Sequence, residues 1–138
     1  MKILVIDGQG GQLGAQLIKA ILAQMPESRI TAVGTNAAAT AAMLKAGALI
    51  AATGENAVIV ACRKNEVIVG PVGIVIADAM YGEVTPQMAV AVGQAEAVRI
   101  LIPMNRCENL IAGVKYIPMT AMIKDVLLKL ERLETEEC

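Results

Sequence analysis

The apolar residues of this chain come in short unbroken runs, separated by glycine-rich turns and by stretches with helical spacing. Runs without polar alternation belong to strands buried on both faces. Residues 2–6 (KILVI) read as the first strand, followed by a helix over 13–24 that Pro26 ends. Residues 30–34 (ITAVG) form a second strand. Thr35 or Asn36 then caps a helix running to Ala46, where Gly47 stops it. Residues 48–52 make a short third strand. The stretch 55–64 (ENAVIVACRK) contains β-branched residues, yet a crossover is needed there, so it reads as helix. The fourth strand is 66–70, closed by Gly70 and Pro71, and 72–80 fits either a helix or a further strand.

Thr85 and Pro86 open a helix with proline in its first turn, running to about Ala97. Residues 99–102 form a fifth strand, stopped by Pro103. Residues 110–116 read as a sixth, and the connection before it is too short for a helical crossover, which points to antiparallel pairing. The final amphipathic helix covers 119–133, with Ile123, Val126, Leu127, Leu130 and Leu133 inward, and 134–138 form a solvated tail. The expectation is one α/β domain over residues 1–133. Its fold class is a doubly wound, mostly parallel Rossmann-like sheet with helices on both faces. Such sheets bind ligands beyond the carboxyl ends of their strands, here the turns at 7–14, 34–36, 53–56, 70–73 and 103–107.

Composition narrows the function. Of 138 residues 56% are apolar but only 1% aromatic, so the core is aliphatic, and the chain lacks stacking platforms for single-stranded nucleic acid. Twelve basic against 13 acidic residues give a net charge of −1, no footprint for nucleic acid or an anionic membrane. There is no histidine and one serine, Ser28, which excludes a Ser–His–Asp triad and a His-ligated zinc site. Mean hydropathy is +0.59, yet the most apolar run, 67–77, is too short to span a bilayer as a helix. Lys2 precedes only a brief apolar stretch ended by Asp7, so no signal peptide is expected. Cys62, Cys107 and Cys138 are odd in number and lack CxxC spacing, the pattern of reduced thiols in a cytoplasmic protein.

The informative stretch is Asp7-Gly8-Gln9-Gly10-Gly11-Gln12-Leu13-Gly14. Gly8, Gly10 and Gly11 can take positive φ and let backbone N–H groups reach an anion, and the following helix adds the positive end of its dipole. Gly14 suits close packing of helix on strand. GxGxxG fails because Leu13 stands where the third glycine is needed; GxxGxxG fits through Gly8, Gly11 and Gly14. The alternative is that the glycines only make a tight turn. Asp7 bears on the choice: a like charge about 5 Å from a bound phosphate costs about 3 kcal/mol at an effective dielectric of about 20. No acidic residue ends the second strand to read a ribose diol; neutral Thr35 and Asn36 sit there, and no Arg follows to hold a 2′-phosphate.

The opening MKILVIDGQGGQLG resembles the amino terminus of the extended short-chain dehydrogenase/reductases, which bind NAD(P) with a GxxGxxG turn. That likeness covers about the first 20 residues. Tyr81 and Tyr116 have Thr85 and Thr120 four positions on, so no Tyr-x-x-x-Lys pair follows and the reductase activity is not carried over. Over its whole length the chain resembles a bacterial family of short Rossmann-like proteins classed as a domain of unknown function. The matching stretches are IDGQGG, GTNAAATAAMLKAGA, ATGENA, IVGPVGIVIADAM, GEVTP and ILIPMNRC. This resemblance implies the fold and the ligand region without an activity.

Other residues carry two readings each. Asp7 and Asp78, beside Glu55 and Glu83, form a carboxylate cluster for Mg²⁺ or proton transfer, or else they accept turn amides and cap helices. Thr53 caps a helix start, leaving Asn56 to meet a ligand; Asn36 and Asn105 are base or sugar readers, or turn formers. Arg63 beside Cys62 and Arg106 beside Cys107 make Cys107 the better reactive thiol, against an ordinary reduced one. The alanine-rich helix over 36–46 either packs on the sheet or abuts a second subunit, and the hydropathy favours a homodimer.

Three functions follow from these residues. The first is a cytoplasmic protein, with a regulatory role as one form, that binds a small anionic ligand. Nucleotides, NAD(P) and phosphorylated metabolites are the candidates, held by Gly8, Gln9, Gly10, Gly11, Gln12, Gly14, Thr35, Asn36 and Glu55 without a metal. The second is a small-molecule enzyme using Asp7 with Asp78 or Glu55. The third is an interaction module whose glycine loop is structural.

Overall fold

The computed structural model describes residues 1–103 and 109–136. Five strands, β1 (Lys2–Asp7), β2 (Arg29–Gly34), β3 (Ile50–Thr53), β4 (Val67–Pro71) and β5 (Val98–Ile102), pair in the order β3-β2-β1-β4-β5. Every pairing is parallel. Five helices connect and flank them: α1 (Gln12–Gln24), α2 (Ala37–Lys45), α3 (Glu55–Cys62), α4 (Pro86–Gln94) and α5 (Met119–Thr135). This is a doubly wound α/β sheet of Rossmann-like type.

The unbroken apolar runs arise from two cores. Ile3, Val5, Ile30, Ala32, Val67 and Val69 point to one face, where Leu17, Ile18 and Ile21 of α1, Met43 of α2 and Leu130 of α5 cover them. Leu4, Ile6, Val33 and Ile68 point to the other, beneath Val58 of α3 and Met88 and Val92 of α4. Successive strand residues serve opposite faces, so alternation of apolar with polar residues is replaced by alternation between cores. Right-handed crossovers from β1 and β2 run one way and those from β3 and β4 the other. The direction reverses between β1 and β4, and the connections leaving these two strands meet beyond their carboxyl ends.

The structure departs from the sequence expectations in five respects, the first being that α4 ends at Gln94 rather than near Ala97. Residues 110–116 form no sixth strand: Val114 N–H donates to Ile111 O (3.3 Å) around Gly113 at φ +82, a tight turn within an otherwise irregular stretch, and the described sheet is wholly parallel. The stretch 72–80 is neither strand nor α-helix but a 3₁₀ turn, Val72–Val75, followed by further turns. The third strand begins at Ile50, two residues later than expected. The last helix continues to Thr135, past the expected boundary at 133.

Candidate functional site

The β1–α1 turn is tight: Gly11 N–H donates to Gly8 O at 2.9 Å. Positive φ falls on Gln9 (50°) and Gly11 (73°), so the freedom expected of Gly8 and Gly10 is not what makes the turn. Gly11 is needed on two counts. A side chain there would be strained, and a Cβ would lie 2.7 Å from Ala39 Cα in α2. Gly14 sits where a Cβ would lie 2.9 Å from Asp7 Cβ and 2.5 Å from Met43 Sδ.

Asp7, on the odd-numbered face of β1, is 5% exposed and turns back under α1. Its two oxygens accept from Gly8 N–H (2.8 Å) and Gly14 N–H (2.7 Å). Burial raises its pKa; the two amides partly offset this, and the charge of Glu83 adds to the rise. The carboxylate therefore spends both oxygens on its own turn. Asp78, expected as its partner, is exposed, stands at φ 64 and is not among the groups around Asp7.

Glu83 takes the place opposite the loop. It lies in the connection between β4 and α4, and its Oε1 accepts from Gln9 N–H (2.9 Å), Thr35 Oγ1 (2.8 Å) and Asn36 Nδ2 (2.6 Å). Three donors from two separate turns thus converge on one anionic oxygen. Burial pushes the Glu83 pKa up, but the bonds from Gln9, Thr35 and Asn36 outweigh it and hold the carboxyl below its ordinary value. Gly8 makes room for this arrangement, since a Cβ there would lie 2.5 Å from Thr35 Oγ1 and 2.6 Å from Met80 Sδ.

Asn36 ties the two turns together. Its Oδ1 caps α2 by accepting from Ala39 N–H (2.8 Å), while its Nδ2 also donates to Gln9 O (2.9 Å). The segment carrying Glu83 is held in an uncommon backbone: Asp78, Met80 and Tyr81 all have positive φ, a conformation costing about 1–2 kcal/mol per L-residue. Among the described residues, the amides of Gly10, Gln12 and Leu13 take no protein hydrogen bond, so the positive end of α1 keeps donors beyond the one given to Asp7.

The remaining described candidates make no hydrogen bond to this donor set. Glu55 accepts from Thr85 Oγ1 at 2.5 Å, linking the starts of α3 and α4, and makes no hydrogen bond to the glycine turn. Thr53 does not cap α3; its hydroxyl pairs with Thr40 Oγ1 at 2.7 Å, and Gly54 occupies the cap position without a side-chain bond. Cys62 is buried, and burial pushes its thiol up to about 11 against the smaller opposing effect of Arg99. Asn105, Arg106, Cys107 and Cys138 lie outside the described residues. No group of three or more Asp, Glu or Cys side chains among the described residues is placed to hold a metal ion, and no described helix is long and apolar enough to cross a membrane.

The sequence points to the glycine turn, Thr35 and Asn36, but it offers Glu83 only as a member of a carboxylate cluster with Asp7, Asp78 and Glu55 or as a helix cap, not as the acceptor for these donors. The available signal was its place in GEVTP, two residues before the Thr85 cap, which brings the β4–α4 connection back over the reversal point.

No curated protein sequence matches the chain. Among solved structures, it is similar to the dodecameric FMN-dependent UbiX-like decarboxylase from Escherichia coli O157:H7. The identity is 19%, with 96% of this chain and 75% of that one covered, at a TM-score of 0.44. The family described as Domain of unknown function (DUF3842) matches residues 2–135, and the chain belongs to that family.

Proposed function

We propose that this chain is a cytosolic protein that binds a small anionic ligand, a nucleotide or phosphorylated metabolite, at the β1–α1 turn. One observation carries the reading: Gln9 N–H, Thr35 Oγ1 and Asn36 Nδ2 converge on a single carboxylate oxygen. A donor set that holds one oxyanion in place is already ordered for another, and ordering is a large part of the cost of binding. The turn also lies at the direction reversal of a doubly wound sheet, where ligands of such folds bind. The acid–base reading of Asp7 has less support, because both of its oxygens are committed to Gly8 and Gly14.

The test is thermal unfolding of the purified protein across a panel of nucleotides, dinucleotides and sugar phosphates, beside its Thr35→Val variant. A rise in Tm with one class of ligand, reduced in the variant, supports binding here. No rise with any member of the panel counts against it. Gly11→Val is unsuitable as a control, because its side chain would strike the Ala39 backbone whatever the turn binds.

A second reading, association with a copy of itself, draws on the β5–α5 side. Leu110 and Tyr116 are 91% and 85% exposed there, and Val98, Val114, Ile117 and Leu128 are also exposed. Light scattering with Leu110→Ser decides it: a dimer lost in the variant supports the reading, and a monomeric wild type ends it.

A further inference from the structure

The group that fills the donor set belongs to the chain itself, and its surroundings restrict what could replace it. All three donors are neutral. No Lys or Arg among the described residues bonds to Glu83, and the buried Asp7 carboxylate is near enough for the two charges to act on each other. One negative charge is compensated by the three donors. A second would meet Asp7 with no cation to offset it.

The Glu83 side chain alone reaches the three donors. It is only partly buried, and its turn closes on itself through Asp78 N–H to Val84 O (2.7 Å), Gly82 N–H to Asp78 O (3.0 Å) and Val84 N–H to Ala79 O (3.1 Å). Rotation of the one side chain clears the donors without unfolding that turn.

Resting on the binding proposed above, we infer that Glu83 is an internal competitor for the site. Within the nucleotides and phosphorylated metabolites proposed above, the group that displaces it is a singly charged oxyanion, a phosphodiester or a carboxylate, and not a doubly charged phosphate monoester. A ligand must first find the site vacated, so the observed affinity is reduced by the fraction of molecules in which Glu83 has left it.

The experiment follows the backbone amide of Gln9 and the side-chain amide of Asn36 by NMR at pH 8. Dimethyl phosphate, acetate and methyl phosphate are titrated separately into the wild type, Glu83→Gln and Glu83→Ala, the last covering the case in which glutamine still occupies the donors. The inference predicts that one or both singly charged probes bind a Glu83 variant about tenfold more tightly than wild type, with methyl phosphate weakest. Dimethyl phosphate alone identifies a diester, and acetate alone identifies a carboxylate. Equal affinity for wild type and both variants, or methyl phosphate binding best, overturns the inference while leaving the site. No shift of either amide with any probe in any of the three proteins overturns the proposed site as well.

Discussion

Glu83 Oε1 accepts a 2.6 Å hydrogen bond from Asn36 Nδ2, although the two residues are 47 positions apart. This contact joins the β4–α4 connection to the start of α2 across the reversal point of the sheet, and Gln9 N–H and Thr35 Oγ1 complete the set. Glu83→Ala removes the shared acceptor and leaves three donors to partly screened water. The expected loss is about 1–2 kcal/mol of unfolding free energy, read from urea denaturation with an unchanged slope. A variant as stable as wild type would mean that the contact is energetically idle.

The ease with which these parts could be foreseen differed for a physical reason. Glycines at 8, 11 and 14 and polar residues at 35 and 36 signal through local turn and cap chemistry, which a few adjacent residues determine. Glu83 acts at long range, and its place depends on the path of the whole 72–85 connection. The strands were visible because two cores impose unbroken apolar runs. The same rule misled at 110–116, where apolar residues are exposed around the Gly113 turn and pack into neither core.

Three of the four glycines of the turn, Gly10, Gly11 and Gly14, should separate sharply on substitution by alanine. Gly11→Ala meets backbone atoms of Ala39 at 2.7 Å with φ +73 and should cost about 3 kcal/mol or more. Gly14→Ala meets Met43 Sδ and Asp7 Cβ, and the flexible methionine can shift, so about 1–3 kcal/mol is expected. Gly10→Ala approaches nothing nearer than Gln12 Cγ at 4.0 Å and should change stability by less than about 0.5 kcal/mol. Thermal denaturation of the three variants checks the order; Gly10 proving the most sensitive would contradict this packing.

The two carboxylates of the site should act on acid stability with opposite signs. Asp7 has its pKa raised above 3.8 by burial, so it binds its proton more tightly when folded. Its contribution is full below that value and is lost as pH rises through the folded pKa. Glu83 lies below 4.5, so its contribution is present above 4.5 and is lost as pH falls through the folded pKa. The stability gap between wild type and Glu83→Gln should therefore narrow as pH falls from 7 to 3. Chemical denaturation at each pH measures it, and a gap that widens in acid would refute the assignment.

Arg99 should stabilise the end of α4 independently of the site. Its Nη1 donates to Ala95 O (2.7 Å), Ala97 O (3.3 Å) and Val92 O (3.4 Å) around the point where that helix stops, and Val92 O also accepts the Ala95 N–H. Arg99→Leu should lose about 1–2 kcal/mol by denaturation without altering any ligand-induced rise in Tm. A changed ligand response would connect α4 to the turn in a way these contacts do not provide.

The most direct measurement is the exchange of Glu83 for an added anion, followed through the Gln9 and Asn36 amide resonances. The account predicts that both move together on titration with a singly charged oxyanion, and that a Glu83 variant reaches half-saturation at a lower concentration than wild type. Resonances that stay fixed in every protein, or that move elsewhere in the molecule instead, would contradict it.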